Sequence, residues 1–273
     1  MEYDIIIIGA GPAGITAGIY ALRSGLKVCI ISKFIGGAAN RIEKIDNWPG
    51  FSGTGRELMK KFYDSLKKFN PDFVPEDAVS AEKNGKGFIV KTKEKSIEGR
   101  ALIIATGKER KKLGVPGEEE LAGRGVSYCT TCDAFFFKDK VVAFACYEKN
   151  TEDEKTLLKI AKKVYLVNPS EITEIRGKEK VESIITEEKG KRKEIPVDAV
   201  FIEIGSVSAR DFLKNLKAKI DKDGFVVVDS EMKTSIQGVF AAGDITNSKL
   251  KQVLTASSQG ATAAKSAGSF LKA

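Results

Sequence analysis

The stretch SYCTTCDAFFF sets Cys129 and Cys132 in a C-x-x-C pair with Asp133 directly after it. Thiols at this spacing can make and break a disulfide within one turn of chain, and an adjacent carboxylate can hold or release the proton that goes with it. Three readings compete. A zinc half-site needs two further ligands, but the chain has no histidine, and Cys29 and Cys146 stand alone. A purely structural disulfide is disfavoured in a reducing cytoplasm, the setting expected for four cysteines of which only two are closely spaced. A redox dithiol is the third reading and makes use of all three residues. With no histidine, acid–base work near neutral pH falls to a carboxylate or a thiol. The run Phe135–Phe137 reads as core, or as a docking surface beside the thiols.

A second group has the form of a nucleotide site. YDIIIIGAGPAGITAGIYALRSGLKVCIIS reads as strand, glycine turn, amphipathic helix, a stop at Gly25, and a second strand. Gly9, Gly11 and Gly14 form G-x-G-x-x-G between strand and helix. The first permits a tight turn, the second lets the backbone approach pyrophosphate, and the third allows close helix–strand packing. The phosphates would rest on the helix-start amides. Ser32 stands where a ribose-binding acid is expected at the end of the second strand. Two distant stretches, ALIIATG (Ala101–Gly107) and GVFAAGD (Gly238–Asp244), read as buried strands ending in small residues that let a flat cofactor approach. Asp244 could accept hydrogen bonds from a ribityl chain.

A third stretch has the outline of such a site without its working parts. In KVVAFACYEKNTEDEKTLL the strand Val141–Ala145 runs through a polar turn into a helix, yet no glycine occurs between Lys140 and Ile175.

These groups must be carried by a chain of 273 residues, enough for two domains. With 42% hydrophobic and 30% charged residues it reads as globular and soluble. Its apolar runs are strand-sized, so no membrane span is expected, and the first strand begins by Tyr3, so no signal peptide is expected. The abundance of Lys and Glu is compatible with a heat-adapted source. The net charge is +8: residues 1–112 with 233–273 hold 25 basic and 14 acidic side chains, and residues 113–232 hold 20 and 23. The lysines are scattered and no nucleic-acid motif accompanies them, which argues against nucleic acid and leaves an acidic protein partner open.

The glycine loop, the ATG and AGD strand ends, the GG at Gly36–Gly37, DNWPG at Asp46–Gly50 and the C-x-x-C-D together resemble the flavoprotein disulfide reductases, and among them the small thioredoxin reductases. The resemblance covers nearly the whole chain. It implies an α/β fold of two doubly wound domains, the second inserted in the first and shortened. An FAD domain would span 1–112 and 233–273, and a dithiol domain 113–232. It implies FAD contacts at Gly9, Gly11, Pro12, Ala13, Gly14, Ser32, Gly37, Asn47, Thr106, Gly107, Gly243, Asp244, Gln252 and Val253. Ala38 replaces the family's usual Gln after the double glycine. The final segment implies a small-residue helix whose start faces the flavin.

By the same resemblance Cys132 lies against the flavin, Cys129 exchanges with the disulfide of a thioredoxin, and Asp133 is the acid–base group. The family's second glycine turn falls on ACYEKN (Ala145–Asn150) and its basic 2′-phosphate patch on NPS (Asn168–Ser170), neither of which has the required residues. The ferredoxin-dependent flavin thioredoxin reductases share this combination, so ferredoxin is the expected donor, NADPH is not, and a cytoplasmic homodimer is implied. Lys108, Arg110, Lys111, Lys112, Lys249 and Lys251 flank the flavin-side strand ends as candidates for docking it. Three alternatives stay open: an unconventional NAD(P)H site, an oxygen-dependent dithiol oxidase, and a redox-sensing binding protein.

Overall fold

The computed structural model describes residues 2–204, 206–207 and 215–272. The chain forms two compact units, Met1–Glu109 with Ser208–Ala273, and Arg110–Val207.

In the first unit, the strand Tyr3–Ala10 lies between Val28–Ile35 and Ser96–Ile104, parallel to both, with Ile5 opposite Val28 and Ala101. Its isoleucines alternate faces, as a two-residue side-chain period requires. Ile5 and Ile7 join one buried cluster and Ile6 and Ile8 the other, so the strand is apolar throughout because both faces are covered. Asp72–Val74 extends the sheet beyond Val28–Ile35. On the opposite edge Ser96–Ile104 pairs with Gly87–Lys91 by its first half and with Val239–Ala241 by its second. The helix Pro12–Arg23 and the C-terminal helix Val253–Lys272 cover one face, with Ala13, Ala17 and Ala21 packed in one cluster with Ala256, Ala263 and Ala267. Such small residues let two helices come close. A Cβ on Gly260 would lie 2.1 Å from the Ala13 carbonyl oxygen.

The chain returns to this unit at Ser208, ahead of Lys233 where the sequence placed the boundary. Leu216 and Val226 are buried in the cluster of Ile6, Ile8 and Leu102, with Ile220 and Val228 packed against it. The charges redistribute accordingly. The first unit holds 27 basic and 19 acidic side chains and the second 18 of each, so the whole +8 belongs to the first.

The second unit has a four-stranded parallel sheet ordered Val126–Ser127, Ala199–Glu203, Val141–Cys146, Lys163–Val167. The helix Glu152–Ile160 is the crossover between the last two. Alternation recurs along Val141–Cys146: Ala143 and Ala145 face one cluster and Val142 and Phe144 the other. Burying a side chain such as Phe144 contributes about 1.5–3 kcal/mol. A three-stranded antiparallel meander, Ile172–Arg176, Ser183–Glu188 and Lys191–Pro196, contributes Ile172, Ile175 and Ile184 to the first of these clusters. Among the described residues, no helix is long and apolar enough to cross a membrane.

Candidate active site

The glycine loop of the first unit is closed to side chains at two points and open at a third. Gly9 has φ +103°, and a Cβ there would fall 2.3 Å from the Ala105 carbonyl oxygen; on Gly14 it would fall 1.9 Å from that of Gly9. Around Gly11 there is nothing within 4 Å. Gly11 is the N-cap residue of the first helix, Pro12 follows, no side chain caps the helix and its first turn has no acid. These are the conditions under which helix-start amides receive an anion.

Three further flavin candidates of the first unit, Gly37, Thr106 and Gly243, lie against this loop or the helix it opens. A Cβ on Gly37 would lie 3.3 Å from the Gly11 Cα, which sets the double glycine against the loop, and the Gly36 amide donates to the Ala10 carbonyl at 2.7 Å. The Ala105 amide donates to Ile8 and the Ala242 amide to Ile104, at 2.8 and 2.9 Å, which aligns the two small-residue strand ends. Beyond the first of them come Thr106 and Gly107, and space around Gly107 is open. Beyond the second, Gly243 would place a Cβ 3.0 Å from that of Ala13, and its amide donates to Gln259 Oε1 at 2.8 Å. Half-buried Asp244 is next. Asn47 Nδ2 donates to Gln252 Oε1 at 3.0 Å, joining DNWPG to the start of the C-terminal helix at Val253. The Ser32 hydroxyl donates to the Phe34 carbonyl at 2.8 Å.

Lysine placement revises the docking surface expected from the sequence. Lys251 Nζ donates to the carbonyls of Asp244 and Thr246, at 3.1 and 2.7 Å, and lies 3.8 Å from the centroid of Phe225. It ties the loop after Gly243 to the helix start, a role that spacing did not signal. Lys108 faces the same ring at 5.1 Å. Arg110, Lys111 and Lys112 belong to the second unit, where Lys112 pairs with Glu119. The Arg110 side chain lies outside the described residues. Lys249 stays exposed in the first unit.

In the second unit Cys129 is disulfide-bonded, whereas Cys29 and Cys146 are free thiols. Cys129 is extended, with φ −145°, and precedes a helical turn Thr130–Asp133 whose last amide, that of Asp133, donates to the Cys129 carbonyl at 3.1 Å. The Cys132 side chain lies outside the described residues. Burial pushes the Asp133 carboxyl up from its ordinary value, against the opposing effect of the Ser127 hydroxyl, which donates to Asp133 Oδ2 at 2.5 Å. Glu118, 1% exposed, accepts from the Leu113 and Gly114 amides and from the Tyr128 hydroxyl, at 3.0, 2.7 and 2.9 Å. This anchors the segment just before Cys129, and the sequence reading missed it. Burial pushes the Cys29 thiol up to about 12, and burial with Glu154 and Glu203 raises that of Cys146, so neither matches a reactive thiol. Among the described residues no group of three or more His, Cys, Asp or Glu could hold a metal ion.

The second strand–turn–helix is closed by its own side chains. Thr151 accepts from the Glu154 amide at 3.1 Å, and the Glu154 carboxylate accepts from the Asn150 amide at 2.6 Å. Glu152, Asp153 and Glu154 all stand in the first turn of the helix. Asn168 Oδ1 accepts from the Ser170 amide and hydroxyl, at 3.1 and 2.8 Å, capping a short turn in place of a basic patch.

A fold of two dinucleotide-binding-type units, one with an open glycine loop and one with a thiol pair, defines a class of flavoprotein disulfide oxidoreductase. The comparisons agree. The model of the pyridine nucleotide-disulphide oxidoreductase family matches residues 3–145 and 142–260, and the chain belongs to that family, on the branch of the thioredoxin reductases. The thioredoxin reductase of Bacillus subtilis (strain 168) is 35% identical over 302 residues, covering 99% of this chain and 95% of its own. That of Streptococcus pyogenes MGAS5005 superposes with a TM-score of 0.91 at 34% identity, over 99% and 98% of the two chains. A ferredoxin-flavin thioredoxin reductase from Clostridium acetobutylicum gives 0.58 at 34% identity, over 99% and 97%. The cofactor of such proteins is FAD. The residues of the first unit fit it: open space at Gly11 and Gly107, an uncapped helix start without acids, and polar Asn47 and Gln252 at the far end.

Proposed function

We propose that the protein is an FAD-dependent thioredoxin reductase that draws electrons from reduced ferredoxin and delivers them through Cys129 and Cys132 to a thioredoxin disulfide. In this reading two electrons and two protons convert one disulfide into two thiols. Cys129 exchanges with thioredoxin, Cys132 serves the flavin side, and Asp133 holds or releases the proton. Gly9, Gly11, Pro12, Ala13 and Gly14 cradle the pyrophosphate. Ser32, Gly37, Asn47, Thr106, Gly107, Gly243, Asp244, Gln252 and Val253 line the rest of the cofactor. FAD, when bound, supplies the conversion of single electrons into a pair. A cytoplasmic homodimer completes the reading by family analogy.

The observation that carries the choice of donor is the self-capped helix start at Thr151–Glu154. A nucleotide pyrophosphate would need those amides and the positive helix end, yet Thr151 caps the helix and three carboxylates stand in its first turn. No arginine or lysine at Asn168–Ser170 can clamp a 2′-phosphate. The downhill direction supports the scheme. A ferredoxin near roughly −400 mV and a thioredoxin near roughly −270 mV differ by about 6 kcal/mol per electron pair. The positive first unit suits an acidic donor.

The test is to offer each donor, without oxygen, to the purified yellow protein. Reduced ferredoxin should bleach the flavin band and NADPH or NADH should not. Rapid, stoichiometric bleaching by either nucleotide would overturn the ferredoxin reading in favour of an unconventional nucleotide site.

A further inference from the structure

Ser127 closes the parallel strand Val126–Ser127 and is 4% exposed. Its Oγ lies 2.5 Å from Asp133 Oδ2, accepts from the Cys129 amide at 3.1 Å, and stands 3.4 Å from the Cys129 carbonyl oxygen. One side chain thus touches the carboxylate and both backbone polar groups of the first cysteine. A hydroxyl has one hydrogen and two lone pairs, so it can donate to one oxygen at a time. With Asp133 ionised, the hydrogen points to Oδ2. With Asp133 protonated, the acid donates to Oγ and the serine hydrogen turns to the Cys129 carbonyl. The Cys129 amide stays bound in both states.

We propose that Ser127 is the positioning residue for proton exchange at the dithiol: its hydroxyl satisfies Asp133 in both protonation states while holding the backbone of Cys129 beside it. The proposal rests on the role given to Asp133 above. No covalent bond changes at Ser127; it reorients one hydrogen as Asp133 gains or loses a proton. The hydroxyl also counteracts burial, which pushes the Asp133 carboxyl up from its ordinary value. Among the described elements, the helix Glu152–Ile160 and the turn Ala134–Phe137 pack most closely against the Thr130–Asp133 turn. The helix carries Glu152, Asp153, Glu154, Lys155 and Lys159 and the turn carries no charge. None of these side chains shifts Asp133. Cys129, in its disulfide, does not titrate.

The experiment is an infrared titration of the oxidised holoprotein, with the Asp133 carboxyl band identified by its loss in Asp133→Asn. A hydrogen bond to a charged group, once removed, corresponds to about one to two pH units. Ser127→Ala should therefore raise the Asp133 midpoint by about that much. Ser127→Thr, which keeps the hydroxyl, should hold it within a few tenths of a unit. In stopped-flow reduction of the flavin by dithiothreitol, the pH limb that Asp133→Asn removes should move with the midpoint. If Ser127→Ala does not retain FAD, the isosteric pair Ser127→Thr and Ser127→Val makes the same comparison. A midpoint unmoved in the variant lacking the hydroxyl, at normal flavin content, overturns the proposal and leaves Asp133 its role. An exchange rate unchanged in Asp133→Asn overturns the role of Asp133, and the proposal with it.

Discussion

Thr151 and Glu154 cap one another's helix start: the Thr151 hydroxyl oxygen accepts from the Glu154 amide at 3.1 Å, and Glu154 reaches back to the Asn150 amide at 2.6 Å. Two of the amides that a dinucleotide would meet there, those of Asn150 and Glu154, are thus taken up by neighbouring side chains. Removing the cap should weaken the unit without creating a nucleotide site, because the carboxylates remain. Thr151→Ala is expected to lose about 1 kcal/mol of stability in urea unfolding and still show no flavin reduction by NADPH. Nucleotide-driven bleaching in this variant would show that the cap alone had closed the site.

The second and third glycines of the first loop should fail differently. Gly14→Ala drives a methyl group to 1.9 Å from the Gly9 carbonyl oxygen, so the fold must yield, with lost solubility or far-UV circular dichroism. Gly11→Ala meets only open space within the protein and should fold normally. Its methyl group enters the path of the pyrophosphate, and FAD affinity should fall at least about tenfold, about 1.4 kcal/mol. Flavin-to-protein absorbance ratios and circular dichroism on both variants separate the outcomes.

Asp133→Asn should leave FAD bound and slow dithiol–flavin exchange by about 10²–10⁴-fold. The same variant tests the burial of the carboxyl. Because the folded state raises its pKa, Asp133 stabilises the protein fully below the ordinary aspartate value of about 3.9, and that contribution is lost as pH rises through the raised value. The stability of wild type relative to Asp133→Asn should therefore fall as pH rises above about 4 in urea unfolding. A difference that grows with pH over this range would contradict a raised carboxyl.

Cys129→Ser should leave a thiolate beside oxidised flavin and add a long-wavelength absorbance band, whereas Cys132→Ser should show none. Both should lose thioredoxin reduction. A band confined to Cys132→Ser would reverse the roles of the two cysteines.

Ferredoxin-driven flavin reduction should slow steeply with salt, since the whole +8 belongs to the first unit. Charge steering gains roughly one to three orders of magnitude at low ionic strength, and it fades as the Debye length falls from about 30 Å at 0.01 M to about 3 Å at 1 M. Intramolecular dithiol–flavin exchange should not respond. Lys249→Glu should slow the bimolecular step, whereas Lys251→Glu should also lower flavin content, because Lys251 holds the carbonyls of Asp244 and Thr246. Stopped-flow rates at two salt concentrations check both variants.

The elements with short-range causes were legible in the sequence. An apolar strand, three glycines at fixed spacing and an alanine-rich helix define the first loop, because turn, close approach and packing each act within a few residues. The C-x-x-C-D and the missing second glycine turn were legible for the same reason. Other features belong to the tertiary structure alone. Asn47 meets Gln252 across 205 positions only after packing puts Ile45 and Trp48 in one cluster with Val253. Residues 215–232 carry no distinctive motif, and their assignment to the first unit rests on Leu216 and Val226 reaching the cluster of Ile6 and Ile8. Lys251 reads as surface charge until two carbonyls and an aromatic ring are found at its tip. Ser127 and Asp133 are only six residues apart, yet their bond depends on where a strand stops and a helical turn begins. Spacing along the chain determined which residues could do chemistry here; their partners were decided by packing, because a hydrogen bond depends on distance and direction in space, which neighbours in sequence do not set.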